Sequence, residues 1–340
     1  MQKRYSLCVL LVFLPMFALG QTHQKNEEIK QPQPESVQVE ISDIKAIAKG
    51  TNAQWSPDGK KIAFENKGIW VVSSDGKGEA RPLTSYDNEW CFAWSPDSRE
   101  IVYISASYYY EGKDRVFWLK VVNVEVGKIR TIYGPYEPGL VKVRWLEDSN
   151  IGFFEETKNP LEPKWTLLDR FGKIPKEITS QEKIVYAVGW DILWMMNADG
   201  SEKKRLQWAE KPKIRFINPV WSKTANKIAV HIVDSAASYT AITDEGGTSW
   251  QVLMHGEEEY PRWSPDGNWL IYFIARQGPR EGELGISELY LISTDGKHKL
   301  QLTSTPEEAE MNPAWSPDGT KILFESPTSE NIFVAKLKIK

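Results

Sequence analysis

Few of the residues that could carry out chemistry stand in a known catalytic spacing. The four histidines, His23, His231, His255 and His298, are widely separated, so the sequence predicts no histidine-based metal site. No Gly-x-Ser-x-Gly motif, no His-Glu-x-x-His motif and no phosphate-binding glycine loop occurs. These absences argue against a serine hydrolase, a zinc protease and a nucleotide-binding enzyme.

Paired carboxylates are the one catalytic chemistry that the composition leaves open. Glycosidases place two carboxyl groups on either side of the bond that they break. The chain has 46 Asp and Glu residues, but the sequence does not show which of them meet in space. A glycosidase or lyase acting on carbohydrate therefore stays open as the alternative function. No catalytic residue, metal ion or cofactor is assigned.

The acidic residues with the most regular setting belong to a repeated Trp-Ser-Pro-Asp-Gly motif. It begins in full at Trp55, Trp263 and Trp315, as WSPDS at Trp94, and as the weaker WSKTA at Trp221. Pro and Asp suit the second and third positions of a type I turn, and Gly supplies the positive φ that follows. The motif therefore predicts the turn of a β-hairpin. Calcium would need further acidic ligands at fixed spacing, and none is present.

The motif also marks a structural repeat. We expect each Trp to pack between neighbouring sheets, where an indole gives a large contact area. The Trp positions 55, 94, 145, 221, 263 and 315 are separated by 39, 51, 76, 42 and 52 residues, and 76 is nearly two repeats. Seven repeats of roughly 43 residues are typical of propeller blades. The positions assigned to the frame are Trp55, Asp58, Gly59, Trp94, Asp97, Trp221, Trp263, Asp266, Gly267, Trp315, Asp318 and Gly319.

Two sets of short apolar runs support the count of seven. The first set is KIAFE, EIVYI, NIGFF, KIVYA, KIAVH, WLIYF and KILFE, and a second run follows each, as in IWVVSSDG and LYLISTDG. These runs are rich in β-branched and aromatic residues and end at Gly, Asp or Asn, which indicates strands. The sequence thus predicts an all-β propeller of seven four-stranded blades, with six blades as the alternative. Blade four lacks its Trp turn, so we expect it to be irregular near Ser180 to Val188.

The two ends of the repeat region predict how the ring closes. The last repeat stops without an outer strand, while a spare strand, IKAIAK, precedes the first repeat at Ile44–Lys49. We expect this strand to pair with the run Asn331–Ile339 and to complete the last blade. Closure of this kind leaves only short sheet edges exposed.

The repeated WSPDG, followed by a β run and Asp-Gly, resembles the propeller repeats of the TolB family, which also occur in prolyl oligopeptidases. The resemblance covers roughly Ile44 to Lys340. It implies a propeller fold and, since TolB belongs to the periplasmic Tol–Pal system, a non-enzymatic interaction scaffold. TolB has a folded domain before six blades, whereas this chain has a Gln- and Pro-rich segment there and seven repeats.

The N-terminal sequence predicts export. Residues 1–20 hold Lys3 and Arg4, then an apolar run ending in small residues, which is typical of a cleaved signal peptide. Residues 21–42 are rich in Gln, Glu and Pro and predict a flexible tether, so that 43–340 form the propeller. We expect no transmembrane span in the mature chain. Cys91 is then its single cysteine and is interpreted as a core residue. A net charge of −4 argues against binding to nucleic acid.

The strand order separates the loops into two faces. The Trp turns and the Asp-Gly turns lie on one face and are short and uniform. We call the opposite face the variable face, because its loops are long and differ from blade to blade. Its loops are residues 105–115, 133–139, 156–163, 255–260, 275–286 and 305–312. Loops on a rigid frame are where binding residues usually lie, so we expect the function there.

Two groups of side chains stand out in these loops. Tyrosine and arginine suit recognition of a protein or a sugar, although some of the rings could simply pack on their own blade. The glutamates suit a basic partner or a cation, or form a solvated rim. We predict an envelope protein or peptide as the partner, with carbohydrate as the alternative. The candidate partner-binding residues are Tyr108, Tyr109, Tyr110, Arg115, Tyr133, Tyr136, Glu257, Glu258, Glu259, Arg276, Arg280, Glu307 and Glu308.

Overall fold

The computed structural model describes residues 37–340 except for short gaps. The gaps are residues 86–87, 111–112, 137–138, 158, 160, 189–190, 209–213, 236, 257, 278–283 and 306–307. All regular structure in the described residues is β-strand. Within these residues, no helix has the length and apolar character needed to cross a membrane.

The described residues form 26 strands. The strands of the first half are β1 (Val39–Lys49), β2 (Thr51–Trp55), β3 (Lys61–Glu65), β4 (Ile69–Ser73), β5 (Arg81–Pro82), β6 (Glu89–Trp94), β7 (Glu100–Tyr110), β8 (Lys113–Asn123), β9 (Ile129–Tyr136), β10 (Leu140–Trp145), β11 (Ile151–Glu155) and β12 (Lys164–Leu168). Those of the second half are β13 (Lys183–Val188), β14 (Ile192–Asn197), β15 (Lys204–Leu206), β16 (Arg215–Ser222), β17 (Lys227–Val233), β18 (Ser238–Asp244), β19 (Trp250–His255), β20 (Glu258–Trp263), β21 (Trp269–Gln277), β22 (Leu284–Ser293), β23 (Lys299–Gln301), β24 (Met311–Trp315), β25 (Lys321–Ser326) and β26 (Asn331–Ile339).

These strands form seven antiparallel sheets, which confirms the predicted seven blades. Blades 1 to 6 are β2–β5, β6–β9, β10–β12, β13–β15, β16–β19 and β20–β23, and blade 7 is β24–β26 with β1 on its outer edge. The hydrophobic core lies between the sheets. Each of its seven clusters joins the facing sides of two adjacent blades, including blades 7 and 1. The ring of blades is therefore closed.

Blades 3 and 4 have three strands each among the described residues, where four were predicted. In blade 4, β13 has no Trp-turn strand before it, as expected from the sequence. In blade 3, the segment after β12 is held by a side chain. The backbone N–H groups of Thr179 and Ser180 donate to the Asp148 carboxylate at 2.8 Å and 2.9 Å. They are therefore not available for a fourth strand of the sheet.

The N-terminal strand closes the ring as predicted. Strand β1 pairs antiparallel with β26, from Val39 opposite Ile339 to Lys49 opposite Asn331. The strand begins five residues earlier than the predicted start at Ile44, so residues 39–42 belong to the propeller and not to the tether. The cause is apolar contact, since Val39 and Ile41 pack against the core between blades 6 and 7. The predicted signal peptide and residues 21–36 lie outside the described residues.

The Trp turns hold each blade to the preceding one. The indole N–H of Trp94 donates to the Gln54 carbonyl at 3.3 Å, and that of Trp263 to the Val220 carbonyl at 3.1 Å. Trp55 does the same across the closing interface, to the Ala314 carbonyl at 3.3 Å. Each bond runs from an inner strand to the inner strand of the preceding blade. The Trp positions therefore connect neighbouring sheets.

The Asp side chains of the motif are used within the turns. Asp58 accepts a hydrogen bond from the Ser56 hydroxyl at 2.6 Å and from the Lys60 N–H at 3.0 Å. Gly59 has a φ of 70°, which is the left-handed conformation that the turn needs. The same Ser–Asp bond recurs in the turns at Asp97, Asp266 and Asp318. Glycine again takes the left-handed position at Gly267 and Gly319.

We expect removal of residues 37–49 to lower the melting temperature by about 10 °C or more, because it exposes the apolar edge of β26 and opens the ring. Circular dichroism during heating measures this. As a control, removal of residues 21–36 should change the melting temperature by less than about 2 °C. Equal losses from the two deletions would contradict the role of β1 in closure.

We expect Trp94→Ala to reduce the free energy of unfolding by about 3–5 kcal/mol, because the indole is buried between blades 1 and 2. Trp94→Phe keeps most of the contact area and loses the bond to Gln54, so it should cost less. Urea unfolding measures both variants. Near-wild-type stability of Trp94→Ala would mean that the indole does not hold the blades together.

Candidate functional site

Two hairpins extend the sheet on the variable face. The hairpin β7–β8 is built from strands of 11 residues each, and β21–β22 from strands of 9 and 10, against 5 residues each in β3 and β4. Most of the predicted loops at 105–115 and 275–286 are therefore strand. Strand pairing continues to Tyr110 opposite Lys113 and to Gln277 opposite Leu284, so these segments extend the ladder and are not free loops.

The tip of the β7–β8 hairpin carries the first group of candidate residues. Tyr108 stands opposite Arg115 and Tyr110 opposite Lys113 in the strand pairing. This register brings tyrosine and cationic residues together at one end of the hairpin. The side chains of these residues, Tyr109 included, lie outside the described part of the structure, as do the Arg276 side chain and all of Arg280.

Tyr133 and Tyr136 lie in strand β9 and contact blade 3. The Tyr133 ring lies 5.0 Å from the Phe153 ring and 5.8 Å from the Tyr136 ring, measured between centroids. Its hydroxyl donates to Glu155 at 3.4 Å. Burial and the neighbouring Glu155 carboxylate raise the pKa of Tyr136 to about 12. Both rings are half-buried, so they join two blades and leave only part of their surface for a partner.

Of the predicted acidic group, the structure describes the side chains of Glu308 and Glu310. Glu258 and Glu259 lie in the inner strand β20, and Glu257 and Glu307 lie outside the described residues. The Glu308 carboxylate accepts hydrogen bonds from the hydroxyls of Ser326 and Ser329. The neighbouring Glu310 is buried and accepts a hydrogen bond from Thr305 at 2.9 Å. Glu308 and Glu310 therefore connect local segments.

Buried carboxylates meet instead beside a cavity of about 710 Å³ where blades 7, 1 and 2 approach each other. Glu65, Glu89 and Glu325 line it. Glu325 accepts from the Ala53 N–H at 2.7 Å and from the Asn312 amide at 3.0 Å. Burial raises the pKa of Glu65, although hydrogen bonds from Asn52 and from the Cys91 N–H oppose the shift. At least two of these carboxylates thus fasten inner strands to each other.

The inner strands of the blades line a central channel. Each inner strand alternates between residues that pack against neighbouring sheets and residues that face this channel. The Trp and the residue two before it are the more buried, as in Ala53 and Trp55 or Val143 and Trp145. Strand alternation therefore turns the intervening residues toward the channel. The residues directly before Trp are Gln54, Ala93, Arg144, Val220, Arg262 and Ala314. Four of them line a channel cavity of about 460 Å³, namely Gln54, Ala93, Arg144 and Val220.

Two cationic side chains, Lys142 and Arg144, line this channel cavity, and Arg262 stands at the same position before its Trp as Arg144. Lys142 and Arg144 come from β10 of blade 3, and Arg262 comes from β20 of blade 6. The channel walls shield Lys142 from bulk water and Arg144 and Arg262 lie nearby, so its pKa is lowered to about 8. Burial also lowers the pKa of Arg144 and Arg262. In the described part of the chain, no ion pair joins any of the three to a carboxylate.

Sequence reasoning did not identify this cationic group. Arg144 and Arg262 each stand directly before a repeat Trp, and Lys142 stands two residues before Arg144. The repeat could have indicated that these cations face the channel, because positions that alternate with Trp must face away from the blade interface. Cys91, interpreted as a core residue, is half-buried at the corresponding position of blade 2, near Glu65 and Lys142.

No constellation for metal binding is visible. Among the described residues, no group of three or more His, Cys, Asp or Glu side chains could hold a metal ion. His231 is buried in β17, and burial lowers its pKa to about 4, so it is neutral at pH 7. His255 and His298 lie on other strands and turns, as their spacing predicts.

The fold and the channel define a closed seven-bladed β-propeller with a cationic axis. No family model matches the chain. A stretch of 80 residues is 39% identical to a protein of Bacillus subtilis described as an uncharacterized peptidase, YuxL; it covers 23% of this chain and 11% of that relative. The chain thus spans only a small part of the curated relative that it matches.

Solved structures agree on the fold. The β-propeller domain of Cps50 (Swd1) from Myceliophthora thermophila is similar with a TM-score of 0.55 and 9% identity, over 88% of this chain and 99% of that one. A putative TolB from Agrobacterium tumefaciens is similar with a TM-score of 0.47 and 15% identity, over 90% and 99% of the two chains. The Cps50 domain, with the TM-score above 0.5, supports a β-propeller fold for this chain.

We expect Lys142→Gln to raise the melting temperature at pH 7 by about 1–3 °C, because it removes a charge that its neighbours repel. The pKa of Lys142 in the folded chain is about 8, below the ordinary value of 10.5. The unfolded chain therefore binds more protons between these pH values, and this residue's contribution to stability rises with pH across that window. The advantage of the variant should thus shrink toward pH 10.

A matched control is Lys183→Gln. Lys183 lines the same cavity but pairs with Glu245 at 2.8 Å, so its loss should lower the melting temperature at pH 7. Thermal scans at pH 7, 8.5 and 10 compare the two variants with the wild type. If Lys142→Gln is destabilised at pH 7 as much as Lys183→Gln, Lys142 has a partner and the interpretation is wrong.

Proposed function

We propose that this protein is an exported, non-enzymatic propeller scaffold that binds an envelope protein or peptide through its variable face. The observation that carries the proposal is the pair of extended hairpins, β7–β8 and β21–β22, on that face. The base of the β7–β8 extension joins the core through Ala106 and Phe117. The strand pairing continues past these core residues as far as Tyr110 opposite Lys113. Extra strand length on a rigid frame is suited to holding side chains for a partner.

The composition of the β7–β8 tip supports a protein or peptide as the partner. It holds Tyr108, Tyr109 and Tyr110, with Arg115 opposite Tyr108 in register. Tyrosine and arginine are enriched among residues that dominate binding energy, because they bury a large area and still offer polar contacts. Strand pairing fixes the backbone of the tip in advance, which lowers the entropic cost of binding.

The proposed location, periplasmic or secreted, is supported by the N-terminal sequence. The basic and then apolar residues 1–20 are typical of a signal peptide, and the propeller begins 19 residues later, at Val39. TolB proteins, among the similar structures, share the fold of this chain, and the role of this chain in an envelope is our proposal.

A carbohydrate-active enzyme is the second candidate, favoured by the cavity that Glu65, Glu89 and Glu325 line. The raised pKa of Glu65 would suit a general acid. In Glu325, however, both carboxylate oxygens accept hydrogen bonds, one from a backbone N–H and one from a side-chain amide. Glu325 is therefore poorly placed to act as a nucleophile or base. Release of reducing ends or unsaturated products from soluble glycans, abolished in Glu65→Gln, would replace the scaffold proposal.

We expect the triple change of Tyr108, Tyr109 and Tyr110 to Ser to weaken capture of the partner by about 2 kcal/mol or more. The residues lie at a hairpin tip beyond the core, so the melting temperature should change little. The assay is capture from an envelope extract by the immobilised propeller, then binding kinetics with the captured protein.

Val126→Ser is the matched control, because Val126 is 75% exposed at the other end of β8, on the Trp-turn face. Binding by this variant should equal that of the wild type. Loss of capture in Val126→Ser, with normal capture by the triple variant, would place the interface on the wrong face and sink the proposal.

A further inference from the structure

The cationic group in the channel is not needed to build the propeller. The position directly before the repeat Trp carries neutral side chains in the other Trp-bearing blades: Gln54, Ala93, Val220 and Ala314. Those blades form inner strands and pack their Trp residues as blades 3 and 6 do. Comparison of the blades therefore shows that a propeller blade can form with a neutral residue at this position. The positive charges of Arg144 and Arg262 are not needed for the fold.

The surrounding carboxylates do not neutralise these cations. Of the acidic residues lining the same cavity, Glu147 pairs with Lys223 at 2.9 Å. Glu182 lines the cavity and lies near enough to favour the charged form of Arg144, so it offsets part of the positive charge. On the other side of the channel, Glu65 is engaged with Asn52 and the Cys91 N–H. A locally positive section therefore remains inside a chain whose net charge is −4.

The three cations also come from two sides of the ring. Blades 3 and 6 are not neighbours in the closed ring of seven, yet Arg262 influences the titration of Lys142. Arg144 and Arg262 also hold the same place in their inner strands, directly before the repeat Trp, so both face the channel from different sides. All three keep accessible surface, since Lys142 is exposed within the channel and the two arginines are half-buried. An ion in the channel can reach them.

We propose that this section of the channel binds a small multivalent oxyanion, with two or more carboxylate or phosphate groups. Lys142 and Arg144, which line the cavity of about 460 Å³, are its ligands on one side. Arg262 is the ligand from the inner strand of blade 6, where it now donates to the Pro261 carbonyl at 3.2 Å and lies over the Tyr260 ring. Lys142 borders both the channel cavity of about 460 Å³ and a second cavity of about 640 Å³ between blades 3, 4 and 5. The binding site is independent of the hairpin tip proposed to bind a protein partner.

The geometry favours a multivalent ligand over a monovalent one. A single carboxylate could satisfy the cations of one blade and would leave those of the other unpaired. Arginine binds carboxylate and phosphate through two parallel hydrogen bonds, so two arginines on opposite sides suit an ion with charge at both ends. The indoles of Trp55, Trp94 and Trp145 border the same cavity, and their low polarity strengthens charge interactions beside them.

The test measures binding of citrate, pyrophosphate, inorganic phosphate and acetate to the purified propeller by titration calorimetry at pH 7. We expect citrate or pyrophosphate to bind and acetate to bind at least about 10-fold more weakly. A preference for citrate identifies carboxylate as the natural ligand group, and a preference for pyrophosphate identifies phosphate.

The variants Arg144→Gln and Arg262→Gln should each weaken binding by about 10-fold or more. Arg144→Lys keeps the charge and loses the paired hydrogen bonds, so its affinity should lie between those of the wild type and Arg144→Gln, which distinguishes lost charge from lost structure. Lys223→Gln is the matched control, because Lys223 lines the same cavity but is already paired with Glu147; its affinity should equal that of the wild type.

Three outcomes would overturn the proposal. One is no heat of binding with any multivalent ion at about 10 mM. Another is equal affinity for acetate and citrate, which would indicate general attraction and no defined site. The last is an equal loss of affinity in Lys223→Gln and Arg144→Gln, which would show that the cations of the channel act only through the overall field. Capture of a protein by the hairpin tip should be unchanged in all these variants.

Discussion

Each sheet of this propeller has two apolar faces, and neither is buried until another sheet packs against it. Every core cluster is accordingly shared by two adjacent blades, and the seven clusters form a closed cycle. The cluster between blades 7 and 1 joins Ile62 and Phe64 to Leu323 and Val334. An open ring would leave such residues on two outer sheets in water, which is why the strand from the N-terminus must reach the last blade.

The same constraint determines where the chain is free to vary. In each inner strand the Trp and the residue two before it face neighbouring sheets, so their identity is limited by packing. The intervening residues face the channel and are limited only by its width. The carboxylates of Glu65 in β3 and Glu325 in β25 accept hydrogen bonds from the bulged inner strands and so hold these strands in place. Specific chemistry can therefore appear in the channel and at the hairpin tips without disturbing the frame.

The sequence predicts the frame well because the frame is repeated. The turn chemistry of Ser56 to Gly59, the seven apolar runs and the closing strand all follow from local rules that apply seven times. Hairpin length was predicted less well. The segment around Tyr108 to Tyr110 contains polar and glycine residues at its end, which suggested a loop, while the backbone pairing continues to Tyr110. A β-ladder extends as long as both strands stay extended and hydrogen-bonded to each other. The length of one strand therefore depends on its partner strand as well as on its own residues.

The channel shows the other limit of sequence reasoning. Lys142 and Arg262 are 120 residues apart, and nothing local relates them. They face the same channel only because their strands, β10 and β20, are the inner strands of blades 3 and 6 in a closed ring of seven. The count of blades was predictable, but the width of the channel depends on the tilt of the sheets and on side-chain packing between them. Charge interactions across an axis therefore cannot be obtained from the repeat alone.

Unpaired cations in a channel lower the stability of the empty protein, because like charges repel and partial burial removes hydration. This cost is electrostatic and falls on side chains that face the channel, so the packing between the blades is not weakened. A ligand of opposite charge would remove the repulsion and supply the missing partners at once. The attraction that binds the ligand would then also remove the repulsion between the cations, so binding would stabilise the folded protein. A charge retained at a position where equivalent blades have Gln, Ala or Val is best explained by such a ligand, since the fold itself gains nothing from it.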